Sequence, residues 1–202
     1  MQDLVLGFDT SAAHCVAALL SGETVLAHRA EGMVRGQAER LMPLLEEVLS
    51  EGGVAWRDLT ALGVGTGPGN FTGIRIAVSA ARGLALGLDI PAVGVNGCEA
   101  RALLSEGSAM TAIPAPRDRV YLCDSNHLTE IPQQLSRSEA EDLARSLGRD
   151  LEVDSCPDGL AEAIARIAGR RWRQTDTPPA PFYARPADAL PSPDRPPVLL
   201  DG

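Results

Sequence analysis

Residues 59–95 have the sequence LTALGVGTGPGNFTGIRIAVSAARGLALGLDIPAVGV, and this stretch decides the fold. The apolar segment 59–67 runs into glycines, which is typical of a buried strand that ends in a bend. A helix is expected from Thr72 to about Leu88, and the apolar segment 91–95 predicts a second strand. The order strand, helix, strand predicts a parallel crossover unit of an α/β protein.

The segments that precede this unit predict the rest of a sheet. Residues 4–10 form an apolar run that contains Asp9 and predicts a buried strand. Residues 16–20 and 24–31 flank the turn signal Ser21-Gly22 and predict a hairpin. Three hairpin-connected strands extended by parallel crossovers predict an α/β fold with a mixed sheet. This order of elements is the pattern of an actin/Hsp70-like half-domain built on a ribonuclease H-like core.

A helix is predicted over residues 37–50, between the hairpin and the crossover unit. Its apolar residues recur on one face, as expected for an amphipathic helix that covers a sheet. Pro43 predicts a kink, and Gly52-Gly53 predicts the end of the helix. The apolar positions are Ala38, Leu41, Leu44, Leu45, Val48 and Leu49.

The chain divides near residue 105 into two predicted domains. Residues 1–105 form the actin/Hsp70-like domain, and residues 106–202 form a shortened second lobe that is rich in proline and charge. The second lobe is expected to hold one strand, two helices and an extended proline-rich tail. Their expected ranges are 119–124, a helix starting at Ser138 with Glu141, 158–173, and Pro178–Pro197.

Composition argues against direct nucleic-acid binding. The formal net charge is −9 and aromatic residues make up 3% of the chain, so neither a basic face nor a stacking platform is expected. The four cysteines are scattered, and the N-terminal sequence has no secretion signal. We therefore expect reduced thiols, a cytoplasmic location and no membrane span.

The glycine-rich motif between the central strand and the helix is the most specific feature of the chain. Glycines permit a tight bend, and Asn70 or Thr72 can cap the helix that follows. A helix start of this kind can bind an anion, but a glycine-rich loop can also be a simple connection. The motif residues are Gly65, Gly67, Pro68, Gly69, Asn70, Phe71, Thr72, Gly73 and Arg75.

Asp9, Thr10 and Ser11 are a second candidate site, for a nucleotide. An Asp at the end of a first strand can help to place a metal and phosphates, whereas the alternative is a structural Asp bonded to the adjacent turn. No second acidic residue of a metal pair is apparent, and no histidine pair has helical spacing. We therefore expect no metal site in this chain.

The helix 72–88 carries two apolar stripes, although a surface helix needs only one. The bulkier stripe contains Ile74, Val78 and Ala81 and is expected to face the sheet. The stripe of smaller residues is expected to meet a partner helix, unless both stripes are internal. The predicted partner interface comprises Leu41, Leu45, Gly73, Ile76, Ala80, Gly83 and Gly87.

The motif region GTGPGNFTGIRIAVSAARGLALGLDIPAVGV, the start LGFDTS, the segment ERLMPLLEEVL and the element FYARPADA together resemble the TsaB family, also called YeaZ. That resemblance implies a degenerate actin/Hsp70-like subunit without a catalytic centre. It also implies pairing with the catalytic subunit TsaD and work with the ATPase TsaE, in the transfer of threonylcarbamoyl to the tRNA adenosine beside the anticodon. ATP and metal are then expected on the partners, and tRNA contact only through the complex.

Two functions of different classes remain open from the sequence. The first is a non-catalytic scaffold subunit, which in isolation could also form a homodimer. The second is a small ATP-binding, kinase-like enzyme that uses Asp9 and the loop 65–73.

Overall fold

Two mixed β-sheets form the framework of the protein. The computed structural model describes residues 2–105, 110–123, 131–154, 156 and 158–184. The first sheet has five strands in the order β3-β2-β1-β4-β5, as the sequence predicts for an actin/Hsp70-like half. These strands are β1 Leu4–Asp9, β2 His14–Ser21, β3 Thr24–Gly32, β4 Ala61–Gly65 and β5 Ala92–Val95.

The strand β1 lies at the centre of the first sheet. It pairs antiparallel with β2, where Phe8 lies opposite Ala17, and parallel with β4, where Phe8 lies opposite Val64. Alternate side chains of a strand point to opposite faces, so β1 supplies two separate cores. Leu6 and Phe8 belong to one core, and Val5 belongs to the other.

Helices cover both faces of the first sheet. The first core is closed by α1 Gln37–Glu51 and α2 Phe71–Leu88, and the second core is closed by α5 Leu160–Arg171. The close approach of α5 depends on Gly7, because a Cβ there would lie 2.5 Å from the carbonyl oxygen of Ala161.

The position of α5 corrects the division predicted near residue 105. The sequence assigned everything after that point to the second lobe, but α5 packs on β1, β2 and β4 of the first sheet. The second lobe is therefore inserted between α3 Gly97–Leu104 and α5, two helices that contact each other. Sequence pattern alone could not show this return, because the apolar face of α5 fits either sheet.

The second sheet has four strands in the order β8-β7-β6-β9, with α4 packed against it. Only β7 and α4 were predicted, and α4 is capped by Ser136 and Glu139 rather than by Ser138 and Glu141. The tail prediction beyond residue 184 lies outside the described residues. These elements are β6 Met110–Ala115, β7 Arg119–Cys123, β8 Gln133–Ser136, α4 Arg137–Ser146 and β9 Leu151–Val153.

A disulfide bond joins α3 to the second sheet, which corrects the expectation of four reduced thiols. It links Cys98 to Cys123, whose Cα atoms lie 5.1 Å apart. No sequence pattern signals this bond, because the two cysteines are 25 residues apart and meet only after β6 and β7 have paired. Cys15 and Cys156 are free.

Among the described residues, α2 is the one helix long and apolar enough to cross a membrane by length and composition. Core helices pass the same test, and α2 buries Ile74, Ala77, Val78 and Ala81 against the first sheet. The apolar composition of α2 is therefore accounted for in part by the protein's own core.

Candidate functional site

The glycine-rich motif forms the bend between β4 and α2, as predicted. Asn70 caps α2, because its side-chain oxygen accepts hydrogen bonds from the backbone N–H groups of Thr72 at 2.9 Å and Gly73 at 3.1 Å. Of the two caps that the sequence allowed, the structure therefore selects Asn70. The side chain of Asn70 occupies donors that an anion would need at this helix start.

The motif lies directly against the turn between β1 and β2. The hydroxyl of Thr10 donates a 2.7 Å hydrogen bond to the carbonyl oxygen of Gly73, and the N–H of Asn70 donates to the carbonyl oxygen of Ser11 at 2.6 Å. A Cβ on Gly73 would overlap the Thr10 carbonyl oxygen, and one on Gly69 would overlap that of Ser11. Because they lack side chains, Gly69 and Gly73 allow the backbone of the motif to pack directly against the backbone of the turn between β1 and β2.

Asp9 is bonded within the same turn. Its carboxylate accepts hydrogen bonds from both the N–H and the hydroxyl of Ser11. Burial acts to raise the pKa of Asp9, but its interactions with His14 and Ser11 outweigh burial and hold the pKa below its ordinary value. The predicted nucleotide residues Asp9, Thr10 and Ser11 are all buried, with exposed fractions of 2%, 0% and 7%. In this conformation Asp9 and Ser11 are bonded to each other within the turn, and Thr10 is bonded to the start of α2.

Two residues beside Asp9 were missed by the sequence analysis. His14 begins β2, is 1% exposed, and places Nε2 3.7 Å from Oδ1 of Asp9, which is a charge contact rather than a hydrogen bond. Cys156, in the segment between β9 and α5, interacts electrostatically with the same imidazole. No sequence signal links residues so far apart, since the insertion of the second lobe separates them.

The segment after α5 returns to the motif. The N–H of Phe182 donates to the carbonyl oxygen of Thr66 at 2.8 Å, and the ring of Tyr183 stacks on Phe71 with centroids 4.9 Å apart. Arg75 donates from Nε to the Tyr183 hydroxyl at 2.9 Å, and its guanidinium lies 4.0 Å from the centroid of Phe71. Arg75 therefore fixes the end of the described chain onto the start of α2.

The two predicted faces of α2 differ in burial, and the predicted outer face is only partly exposed. Ile74, Val78 and Ala81 are buried against the sheet, whereas Gly83 is exposed. Ile76 and Ala80 are half-buried at the edge of the first core. A Cβ built on Gly83 or on Gly87 meets nothing within 4 Å.

Three residues of the predicted interface require correction. Leu41 and Leu45 are 1% and 0% exposed in the first core, because the apolar face of α1 covers the sheet. Gly73 is buried against Thr10. Leu86, which was not predicted, is 87% exposed and is a stronger surface candidate than any of the three.

A groove of about 690 Å³ borders the outer face of α2. One wall is the second half of α2, with Arg82, Gly83 and Leu86, and the opposite wall is the segment 175–179. The outer face of α2 therefore borders a groove and carries an exposed leucine.

No group of three or more His, Cys, Asp or Glu side chains could hold a metal ion within the part of the chain that the structure describes. The candidate site consists of the closed glycine-rich motif, the buried polar cluster around Asp9 and the open outer face of α2.

Similarity to known proteins agrees with this arrangement. The family model of TsaD, tRNA N6-adenosine threonylcarbamoyltransferase, matches residues 24–183. The TsaB protein of Escherichia coli, named for tRNA threonylcarbamoyladenosine biosynthesis, is 40% identical over 46% of this chain and 39% of its own length. The TsaB protein of Haemophilus influenzae is 36% identical over 60% of this chain and 53% of its own. This chain thus spans about half the length of the curated relatives it matches.

A solved structure from Pseudomonas aeruginosa, described as an uncharacterized protein with similarity to peptidase YEAZ, superposes with a TM-score of 0.70. It is 28% identical and covers 91% of this chain and 100% of its own.

The mixed sheet, its crossover helix and the inserted second lobe define an α/β protein of the actin/Hsp70-like class. Within that class, the chain belongs to the TsaD-related threonylcarbamoyltransferase family and, inside it, to TsaB (YeaZ).

Proposed function

We propose that this chain is a non-catalytic subunit that pairs with TsaD and works with TsaE in the cytoplasm. The complex transfers threonylcarbamoyl to the tRNA adenosine beside the anticodon. A role in threonylcarbamoyladenosine biosynthesis follows from the family. The observation that carries the pairing is the outer face of α2, where Gly83 and Gly87 leave open space beside the exposed Leu86.

This face has the properties of a helix-packing surface. Small residues allow a second helix to approach closely, and Ala80, Gly83 and Gly87 recur at spacings of three and four residues. An exposed glycine inside a helix costs roughly 1 kcal/mol relative to alanine, so Gly83 and Gly87 lower the stability of the isolated chain. A partner helix that packs into the space beside these glycines would offset this cost when the complex forms.

The polar groups of the chain support a role without catalysis. The carboxylate of Asp9 is hydrogen-bonded to Ser11, and the hydroxyl of Thr10 is hydrogen-bonded to the carbonyl oxygen of Gly73, so ATP binding at Asp9 would require these bonds to break. The kinase-like alternative therefore has less support than the scaffold. Because the chain has a net charge of −9, we expect it to contact tRNA only through the complex. The family resemblance implies that ATP and metal bind to the partner subunits.

A charge placed on the outer face of α2 tests the pairing. Gly83→Glu and Leu86→Glu should leave the isolated chain folded, since both positions are exposed, and should abolish capture by TsaD. An unpaired charge buried in an interface costs several kcal/mol. The matched control is Leu147→Glu, which places the same charge at a 59% exposed leucine just beyond α4. Ala81→Glu is a second control, because it should unfold the chain by placing the charge in the core.

The measurements are a thermal melt of each variant alone and a pull-down with purified TsaD. Normal capture of folded Gly83→Glu and Leu86→Glu would contradict the proposed interface. Loss of capture by Leu147→Glu would show instead that pairing depends on another surface or on overall charge.

A further inference from the structure

The disulfide bond between Cys98 and Cys123 joins the two lobes of the chain. Cys98 lies in the first turn of α3, where its N–H donates a 2.8 Å hydrogen bond to the side-chain oxygen of Asn96. Cys123 ends β7 of the second sheet and lies opposite Thr111 of β6. The bond therefore connects a helix that follows the first sheet to the end of a strand in the second sheet.

The start of α3 is bonded to the glycine-rich motif. The N–H of Gly97 donates a 2.8 Å hydrogen bond to the carbonyl oxygen of Gly67. The buried guanidinium of Arg101 donates to the carbonyl oxygen of Gly97 at 3.0 Å and to that of Asp154 at 2.9 Å. Because these bonds fix Cys98 relative to the motif, the disulfide also fixes Cys123 relative to the motif.

A small apolar cluster surrounds the disulfide. Cys98 and Cys123 are 3% and 5% exposed and pack with Ile113 and Tyr121, and Ala184 packs against this cluster. The cluster is separate from both cores of the first sheet. Helix α3 and strand β7 can therefore part locally while the first sheet stays folded.

The end of the described chain rests on the same cluster. Ala184 follows Tyr183, whose ring stacks on Phe71 at the start of α2. One residue earlier, Phe182 donates its N–H to the carbonyl oxygen of Thr66 at 2.8 Å. A separation of α3 from β7 therefore removes a surface that supports the segment 182–184 where it lies against the motif.

We propose that Cys98 and Cys123 form a reversible dithiol–disulfide site that exchanges with glutathione and acts as a redox-sensitive latch. The closed bond holds the second lobe and the segment 182–184 against the motif, and the open bond loosens both. In the cytoplasm, where we propose that this chain works, a disulfide is usually transient or redox-sensing rather than permanent. The latch does not depend on pairing with TsaD.

The latch opens by thiol–disulfide exchange. A glutathione thiolate attacks one protein sulfur, a mixed disulfide forms, and the bond between Cys98 and Cys123 breaks. A second glutathione thiolate attacks the glutathione sulfur of the mixed disulfide and releases the other cysteine. The two cysteine thiolates take up the two protons that the glutathione thiols lost. The cysteines are thus reduced by two electrons, two glutathione molecules are oxidised to glutathione disulfide, and closure is the reverse reaction.

The two free cysteines lie outside this cluster. Cys15 belongs to the first core, and Cys156 packs against the second core. The fold therefore keeps both thiols away from the disulfide, and exchange at the latch is recognised by the link between Cys98 and Cys123.

The first experiment incubates the isolated chain in reduced and then in oxidised glutathione, without denaturant, and maps the cysteine links by mass spectrometry. We expect the link between Cys98 and Cys123 to open in reduced glutathione and to form again in oxidised glutathione, while Cys15 remains a thiol. A link that opens only after urea is added would show a permanent structural bond and overturn the proposal. A link that never forms in oxidised glutathione would overturn it as well.

The second experiment follows amide hydrogen exchange by NMR in the oxidised and reduced chain. The N–H groups of Gly97 and Phe182 should exchange at least tenfold faster after reduction. The N–H of Gly22 is the control, because it donates to the carbonyl oxygen of Asp3 at the end of β1 opposite to the motif, and its exchange should be unchanged. Unchanged exchange at Gly97 and Phe182 would refute the latch even if the bond opens.

Variants separate the disulfide from other effects of glutathione. The double variant Cys98→Ser, Cys123→Ser should show the fast exchange in both reduced and oxidised glutathione. The control Cys156→Ser removes a free cysteine and should respond to glutathione as the wild type does. Slow exchange in the double variant would contradict the latch, and if this variant fails to fold, the reduced and oxidised wild type decide alone. All measurements use the chain without TsaD, so their outcome is independent of the proposed pairing.

Discussion

The glycines at the two ends of α2 occupy opposite environments. At the start, a Cβ on Gly73 would overlap the backbone of Thr10, and a Cβ on Gly67 would lie 2.6 Å from Ile74 Cδ1. Toward the end, a Cβ on Gly83 or Gly87 would meet nothing within 4 Å. The first group is required by contacts inside the chain, and the second is not. The difference is the one that the proposed packing of a partner helix at the end of α2 would produce.

The strongest test of this contrast is Gly73→Ala. The added methyl group must displace the backbone of Thr10, so we expect the free energy of unfolding to fall by about 3 kcal/mol, the upper end of the range for overpacking. Urea unfolding measures this, with Gly83→Ala in the same helix as the control. Equal stability of the two variants would remove the distinction between the two ends.

The second prediction concerns the charge of His14, which lies beside Asp9 in the turn that packs against the start of α2. The pKa of His14 is raised from 6.5 to about 9, so its contribution to stability is fully present below pH 6.5 and is lost as pH rises through 9. We expect the wild type to lose up to about 3 kcal/mol between pH 6.5 and 9.5 relative to His14→Gln. Parallel stability curves for the two proteins, measured by urea unfolding across this range, would show that His14 is not held as a cation.

The third prediction concerns the cap of α2. Asn70→Ala removes the acceptor for Thr72 and Gly73 and should cost about 1 kcal/mol, whereas Asn70→Asp should retain most of the stability. Thermal melts distinguish the two variants. If Asn70→Asp loses as much as Asn70→Ala, the amide is needed for a contact other than the cap.

The smallest effect has the opposite sign. Gly83→Ala and Gly87→Ala should each stabilise the isolated chain by about 0.5 to 1 kcal/mol, because alanine favours the helix and has room for its methyl group. The same variants should bind TsaD more weakly if a partner helix approaches closely. Unchanged or stronger binding would indicate that these glycines do not serve the interface.

The first sheet could be predicted well from the sequence because its strands and turns are specified by short local patterns. The apolar run of β1, the turn at Ser21-Gly22 and the two stripes of α2 each specify structure within a few residues of themselves. The second lobe was predicted poorly, since Pro114 lies inside β6 and its environment is set by distant pairing with β7.

The parts of the candidate site that the sequence analysis missed also depend on interactions between residues far apart in the sequence. The electrostatic interaction of His14 with Cys156 and the stacking of Phe71 with Tyr183 join residues more than 100 positions apart. Neither pair follows a helical or strand period, so no pattern in the sequence could reveal it. The interface residues Leu41 and Leu45 were misplaced for a related reason, because an apolar stripe does not show which surface covers it.

The insertion of the second lobe also has a consequence for synthesis on the ribosome. The strands β1 and β4 emerge early, but the helix that covers their second face starts only at residue 160. At translation rates of about 5 to 20 residues per second, the 55 residues from 105 to 160 take on the order of several seconds. During this interval the nascent sheet presents an uncovered apolar face. The first sheet can therefore be covered on both faces only after α5, which ends at Arg171, has been synthesised.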